Sequence, residues 1–277
     1  MRILCCVNRD LESNYALNML LPQLAQHTTR VVYSERVGRT GSTFPAELLP
    51  LRAVEQVLPN DVLFPLLESV EPRERRWLTF TELRLYCDDV APQALDLNSD
   101  SGRAVLGEFA PELIVSIRYG AILRAPVLAL PPYGCINLHS GILPQYRGIL
   151  STLYALLAGE AEVGCTLHWI VDAGIDTGPI IAVARRPVEL PHSLLWHILS
   201  LYPLGVPLIV ETIARLTRRE EVPRAAQSIT QGTYRSMPSA SDVAALRARG
   251  VPLVDPSDVR EILGMYVPPA TPGKPLA

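Results

Sequence analysis

Short apolar runs that alternate with segments of helical period constrain this chain more than any other feature. Residues 1–7, 31–34, 113–117 and 164–171 are runs of strand length, bounded by polar or turn-forming residues. Between and after them, apolar side chains recur at the spacing of one helix face. Leu17, Leu20, Leu21 and Leu24 show it first, and residues 51–67, 101–109, 149–157 and 193–216 repeat it. Strand, helix, strand in this order predicts an α/β architecture: a mostly parallel, Rossmann-like twisted sheet flanked by helices. Prolines punctuate the helical stretches. Pro22 is expected to kink the first, Pro59 and Pro65 to interrupt 51–67, and Pro203 and Pro207 to break 193–216.

Composition supports a packed domain. Hydrophobic residues make up 48% of the 277, enough for a sizeable core, and only 19% are charged. The formal net charge is −3, and no basic block stands out. Arg73, Arg75 and Arg76 alternate with Glu71 and Glu74, the pattern of a solvated face. No nucleic-acid partner is expected. The apolar run at 3–7 is too short for a secretory signal, and no stretch reads as a membrane span, so the expectation is a cytoplasmic chain with no membrane contact. Cys5, Cys6, Cys87, Cys135 and Cys165 show no C-x-x-C spacing, and most sit in strand-like runs. They read as reduced core thiols.

After residue 222 the composition shifts to Pro, Ser and Ala. This divides the chain into a main domain at 1–222 and a short extension at 223–277. The extension is expected to be partly helical, with capping-box spacing from Ser239 to Asp242 and a second helical stretch at 257–263. Its end at 268–277 is proline-rich and expected to be mobile.

The chemistry is concentrated in one region. Asn137 and His139 stand two apart, so an extended chain points both to one side. Gly141, Pro144 and Gly148 then give the following loop a fixed path. An amide can donate to a developing oxyanion, and an imidazole can relay a proton. A lone His at a strand end is ordinarily structural; the Asn two residues earlier and the Gly/Pro framework favour a functional reading. Asp176 sits in an Asp-Thr-Gly turn. It either stabilises that turn or orients and charges His139. Asp172 stands equally between turn residue and ligand contact. His168 reads as packing or as support for another group. His192 and His197 are five apart and do not match the i, i+4 spacing of a helical metal pair, so no metal site is expected. The chain has no G-x-G-x-x-G, no P-loop and no G-x-S-x-G elbow.

Asn137-Leu138-His139, Leu143-Pro144, Tyr146-Arg147-Gly148, Gly164-x-Thr166-x-His168 and Asp176-Thr177-Gly178-x-Ile180 together resemble the folate-dependent formyltransferase family. Upstream, Ser116 to Leu123 resembles that family's strand and folate-facing segment. The likeness is good over roughly residues 80–185 and weak elsewhere. It implies an α/β domain that binds 10-formyltetrahydrofolate as formyl donor and passes the formyl group to an amine, without a metal. By position, Asn137, His139 and Asp176 match the family's catalytic trio. Tyr119, Gly120, Ala121, Ile122 and Leu123, with Asp172, Gly174 and Ile175, match segments whose backbone holds the pterin.

The acceptor expected from the resemblance is the primary amine of a small metabolite, a nucleotide-linked amino sugar or an amino-acid-derived compound. Asn8, Arg9, Tyr146 and Arg147 are the candidate contacts for it. The tail lacks the basic, β-rich character of members that act on initiator tRNA, so a methionyl-tRNA formyltransferase-like enzyme is an alternative, as is a non-catalytic folate-binding module. The sequence leaves a homodimer open.

Overall fold

The computed structural model describes residues 1–35, 44–69, 77–91 and 93–267. The arginines at 73–76 and the proline-rich end at 268–277 lie outside the described residues. A seven-stranded sheet forms the centre. Its strands are β1 (Arg2–Asn8), β2 (Thr28–Ser34), β3 (Asp89–Val90), β4 (Leu113–Ile117), β5 (Cys135–His139), β7 (Glu162–Ile170) and β8 (Ile180–Pro187), in the order β3-β2-β1-β4-β5-β7-β8. Pairing is parallel from β3 through β5 and antiparallel from β5 to β7 and β7 to β8. Two further short strands, β6 (Tyr146–Gly148) and β9 (Thr233–Arg235), pair with each other in parallel outside the main sheet. The α/β expectation holds; β8 carried no signal in the sequence reading.

Strand alternation explains how one apolar run serves two cores. Along β1, Ile3, Cys5 and Val7 join one buried cluster, while Leu4 and Cys6 join another on the opposite face. A strand covered on both faces has no polar side, which is why β1 reads as a continuous apolar run. Burial, with Cys87 adding to it, pushes the Cys5 thiol up to about 12, and burial alone does the same for Cys135. These thiols are core groups, not nucleophiles.

Helices pack on both faces. Asp10 caps the helix Leu11–Leu20 by accepting from the Ser13 amide, and Ser99 caps Asp100–Phe109 through the Gly102 amide. At Pro22 the first helix tightens into a 3-10 turn, Leu21–Leu24. Pro59 does not interrupt its helix. The chain runs from Leu49–Arg52 through wide π-type turns over Ala53–Leu63 into Phe64–Glu68, so the missing amide is absorbed by a changed hydrogen-bond register. The stretch at 193–216 does break, into Leu194–Leu199 and Tyr202–Thr217, with Pro203 in the first turn of the second helix. Pro207 is accommodated inside it.

Leu194–Thr217 is by length and composition apolar enough to cross a membrane, contrary to the sequence reading. Here 56% of its apolar window is buried within the protein, as in a core helix.

Beyond residue 222, the helix Ala240–Ala248 carries the Ser239/Asp242 capping box, and Pro256–Tyr266 follows. Tyr266 is fully buried, and its hydroxyl donates to Asn14 Oδ1 at 2.6 Å.

Candidate active site

The C-terminal ends of β2, β4 and β5 open into a cleft of about 1060 Å³, where ligands collect in sheets of this kind. Asn137, His139 and Asp176 all line it. Asn137 and His139 leave β5 on the face opposite Ile136 and Leu138, whose side chains fill the core. Across the antiparallel pair, Asn137 stands opposite His168 and His139 opposite Thr166. Asp176 comes from the loop between β7 and β8 with a left-handed backbone, φ +55°.

The three groups converge. Asp176 Oδ2 accepts from the Gly148 amide at 2.9 Å and lies 3.5 Å from His139 Nδ1. Its Oδ1 lies 3.4 Å from His168 Nε2 and 3.5 Å from Asn137 Nδ2. Burial by itself would raise the Asp176 carboxyl. The charge of His139, the bond and charge of His168 and the Gly148 amide outweigh it and hold the pKa at about 2. Asp176 is therefore a carboxylate throughout the physiological range.

Carbonyl partners define which ring nitrogens carry protons. His139 Nε2 faces the Tyr146 carbonyl at 2.7 Å, with the Ser151 hydroxyl at 3.2 Å. A carbonyl only accepts, so Nε2 donates there and Nδ1 is the nitrogen turned to Asp176. When His139 is charged, both of its N–H groups have acceptors. His168 Nδ1 faces the Trp169 carbonyl at 2.9 Å, and its Nε2 lies 3.4 Å from Asp176 Oδ1 and 3.1 Å from Asn137 Nδ2. Protonated, Nε2 donates to the carboxylate; in the neutral ring it accepts from Asn137. In that neutral state one amide hydrogen of Asn137 is committed. The other faces Asp176 at the long distance of 3.5 Å and is the one a ligand oxygen can claim.

The loop after His139 has little slack. A Cβ on Gly141 would stand 2.6 Å from His139 Nε2. Gly148 has φ +102° and packs against the Arg235 carbonyl, leaving no room for a side chain.

Of the residues matched to the pterin, Tyr119, Gly120, Ala121 and Ile122 line the cleft, as do Ala173 and Ile175. Tyr119 turns its ring inward: its hydroxyl donates to the Leu95 carbonyl and accepts from the Leu97 amide. Leu123 is buried in the apolar cluster on the far face of the sheet. Asp172 is a turn residue; its Oδ1 accepts from the Gly174 amide at 2.7 Å, and neither residue lines the cleft.

The four acceptor candidates are placed elsewhere. Asn8 is fully buried between Asp10 and Ser34, bonded at 2.8 and 3.0 Å, because β1 extends one residue further than its apolar run. Arg9 spans Tyr33 and Asn60. The Tyr146 hydroxyl donates to Glu160, and Arg147 donates to the Ile229 carbonyl. None of these four residues lines the cleft. Leu48, Leu51, Glu55, Arg118, Leu150, Tyr234 and Met237 are among the residues that do. Sequence reasoning missed Ser151, Gly148 as an amide donor, and the direct contacts of His168. Only the last left a signal, its shared face with Thr166 opposite the Asn-x-His strand.

Residues 91–194 match the family described as formyl transferase. The methionyl-tRNA formyltransferase of Nitrosococcus oceani is 34% identical over 142 residues, 51% of this chain and 44% of that protein. That of Ralstonia nicotianae is 40% identical over 124 residues, 45% and 38% of the two chains. The matched region thus spans less than half the length of these relatives. In fold, the chain resembles a 4-N formyltransferase from Francisella tularensis (TM-score 0.55, 15% identity, covering 90% of this chain and 87% of that one). It also resembles an N-formyltransferase from Helicobacter canadensis, solved with folinic acid and dTDP-3-aminofucose (0.54, 17%, 92% and 85%). A third likeness is to glycinamide ribonucleotide transformylase 1 from Symbiobacterium toebii (0.53, 18%, 82% and 94%).

Proposed function

We propose that this chain, whose residues 91–194 belong to the formyl transferase family, is a folate-dependent N-formyltransferase that moves a formyl group to the primary amine of a small metabolite. The observation that carries this reading is the convergence of Asn137, His139 and Asp176 on a cleft that is also lined by residues 119–122.

The cleft suits a folate. Residues 119–122 line it in a segment pinned by the Gly120 amide donating to Ser34 and the Ile122 carbonyl accepting from Asn98, a fixed edge for a fused heterocycle. Beside it, Ile122 and Ile175 are exposed apolar side chains that a flat ring would cover. A bound 10-formyltetrahydrofolate supplies an activated formyl carbon.

The residues of the trio divide the remaining work. The free amide hydrogen of Asn137 donates to the formyl oxygen as that atom gains negative charge. His139 contributes charge beside it. Its N–H groups are held by Tyr146 and Asp176, so it stabilises through its field and not through a bond of its own. Asp176 keeps that charge in place and, as a carboxylate, can take the proton that the attacking amine sheds, directly or through a water. It can then pass that proton to the folate N10 as the bond from N10 to the formyl carbon breaks and tetrahydrofolate leaves. His168 keeps the Asn137 amide turned the right way.

The matched segment contains the donor side and the trio but none of the residues after 194, so relatedness there does not choose the acceptor. A nucleotide-linked amino sugar or an amino-acid-derived amine fits the size of the cleft. The fold-level likeness to the Helicobacter enzyme, solved with dTDP-3-aminofucose, supports the first. We further propose that the enzyme works in the cytoplasm, where folate donors are kept.

The test is formyl transfer from 10-formyltetrahydrofolate to a panel of dTDP-3-aminofucose, free amino acids and methionyl-tRNA. Transfer to at least one small amine is expected. Replacing Asn137 or His139 by alanine should lower that rate about 10²–10³-fold. Turnover of methionyl-tRNA alone would replace this acceptor assignment, and folate binding without transfer to any amine would reduce the protein to a binding module.

A further inference from the structure

We infer that Gln227, in the segment after the main domain, is a positioning residue for Asp176, and that residues 223–235 complete the active site. Gln227 Nε2 donates to two carbonyls of the catalytic loop, that of Asp176 at 3.0 Å and that of Gly178 at 2.5 Å. Two acceptors converging on one atom leave no choice of amide orientation, since only the NH2 end can donate.

The same segment is fastened on either side of this contact. Before it, Trp169 Nε1 donates to the Pro223 carbonyl at 3.0 Å, and Ile180 and Ala225 exchange main-chain bonds of 2.8 and 2.9 Å. After it, β9 pairs with β6, the Thr233 amide donates to the Gln145 carbonyl and the Ile149 amide to that of Arg235. One stretch of chain therefore grips both the loop that carries the Asp176 carboxylate and the strand whose Gly148 amide donates to it.

Asp176 needs such support. A side chain at φ +55° is in the left-handed region that disfavours a Cβ and persists there only where the surroundings hold it. With the Gln227 donor removed, nothing else described binds the Asp176 carbonyl, and the carboxylate can drift from Gly148 and His139. Displacements of about 1 Å at a catalytic group cost up to ~10²-fold in rate.

The kinetic half of this inference rests on the proposed function; a structural readout does not. Hydrogen exchange of the Gly148 amide reports its bond to Asp176 in the free enzyme, two contacts away from Gln227. In Gln227→Met, which keeps the length and loses the donor, that amide should exchange about tenfold faster or more. Turnover with the best amine of the panel should fall about 10- to 100-fold. The Kd for 5-formyltetrahydrofolate should stay within about threefold, because the cleft-lining segment at 119–122 is untouched. Gln227→Lys, which returns N–H donors at similar reach, should restore both readouts. Gln227→Glu, with acceptors facing carbonyls, should behave like the methionine variant and replaces it if that one does not fold. Wild-type Gly148 exchange and turnover in Gln227→Met, or a lysine variant as impaired as methionine, would overturn the inference. If the wild-type enzyme transfers no formyl group, the proposed function fails while Gly148 exchange still decides the role of Gln227.

Discussion

Two ionic clusters face the same cleft and are built in opposite ways. At one end a single carboxylate, Asp176, is surrounded by two imidazoles, an amide side chain and a backbone N–H. At the other a single guanidinium, Arg118, is surrounded by three carboxylates. These are Asp10 at 2.8 Å, Glu12 at 3.5 Å and Glu55 at 3.6 Å. Both central residues have left-handed backbones, φ +55° and +59°. The first cluster centres on a carboxylate held at 2.9 Å by the Gly148 amide, with its other partners at 3.4–3.5 Å. The second has a permanently charged centre, and its carboxylates outnumber it. Burial is the main force on Glu12. Arg118 opposes it, but the charges of Glu55 and Asp10 add to it, and the Glu12 carboxyl is raised well above its usual range. The first arrangement presents its groups to a ligand. The second, in which both Glu12 oxygens and Glu55 Oε1 lack hydrogen bonds, ties together the wall where β1, β4 and the helix Leu11–Leu20 meet.

The largest effect that could break this comparison is expected at Asp176. Asp176→Asn removes the charge that faces both imidazoles and should lower turnover about 10³-fold, with 5-formyltetrahydrofolate binding retained in titration calorimetry. The same variant has a stability signature. The Asp176 pKa is depressed to about 2, so the wild-type carboxylate stabilises the fold above the unfolded value near ~4. That contribution, about 2 kcal/mol, is lost as pH falls from about 4 to 2. Urea melts across this window should show the loss in wild type and a flatter profile in the variant.

Arg118→Met comes next. It should leave turnover chemistry formally intact while leaving Asp10, Glu12 and Glu55 without their cation, at a cost of about 3–5 kcal/mol in urea unfolding. A variant as stable as wild type would mean that the carboxylates alone tolerate the site. The smallest effect sharpens the contrast. Glu12→Gln should raise stability at neutral pH, because the unfolded chain ionises there while burial holds the native carboxyl's pKa up, a cost the neutral amide does not carry. A raised folded pKa acts with the opposite sign to Asp176: its contribution is present below the unfolded pKa and is lost as pH rises towards the folded value. Removing Glu12 should therefore flatten stability on the alkaline side, in melts above about pH 4.

Legibility follows sequence distance. β1, β2, β4 and β7 were readable because strand burial writes itself into consecutive residues. The Ser239/Asp242 cap was readable for the same reason. Pro59 misled because a helix can change register around one missing donor. Asn8 misled because a polar residue after an apolar run can be the buried last residue of a strand. His168 was half-legible: alternation gave its face, but its partner depends on the antiparallel register of β5 and β7.

By itself, then, the chain specifies an α/β layering and the pairing of an amide with an imidazole on one strand face, since period-two geometry acts between near neighbours. Which carboxylate meets that imidazole, which amides hold the carboxylate and how Gln227 reaches the same loop were decided only in three dimensions. Those contacts join residues from 28 to 51 positions apart, and Arg118 reaches Asp10 across 108. No local pattern encodes such distances; the common packing of β5, β7 and the returning C-terminal segment sets them.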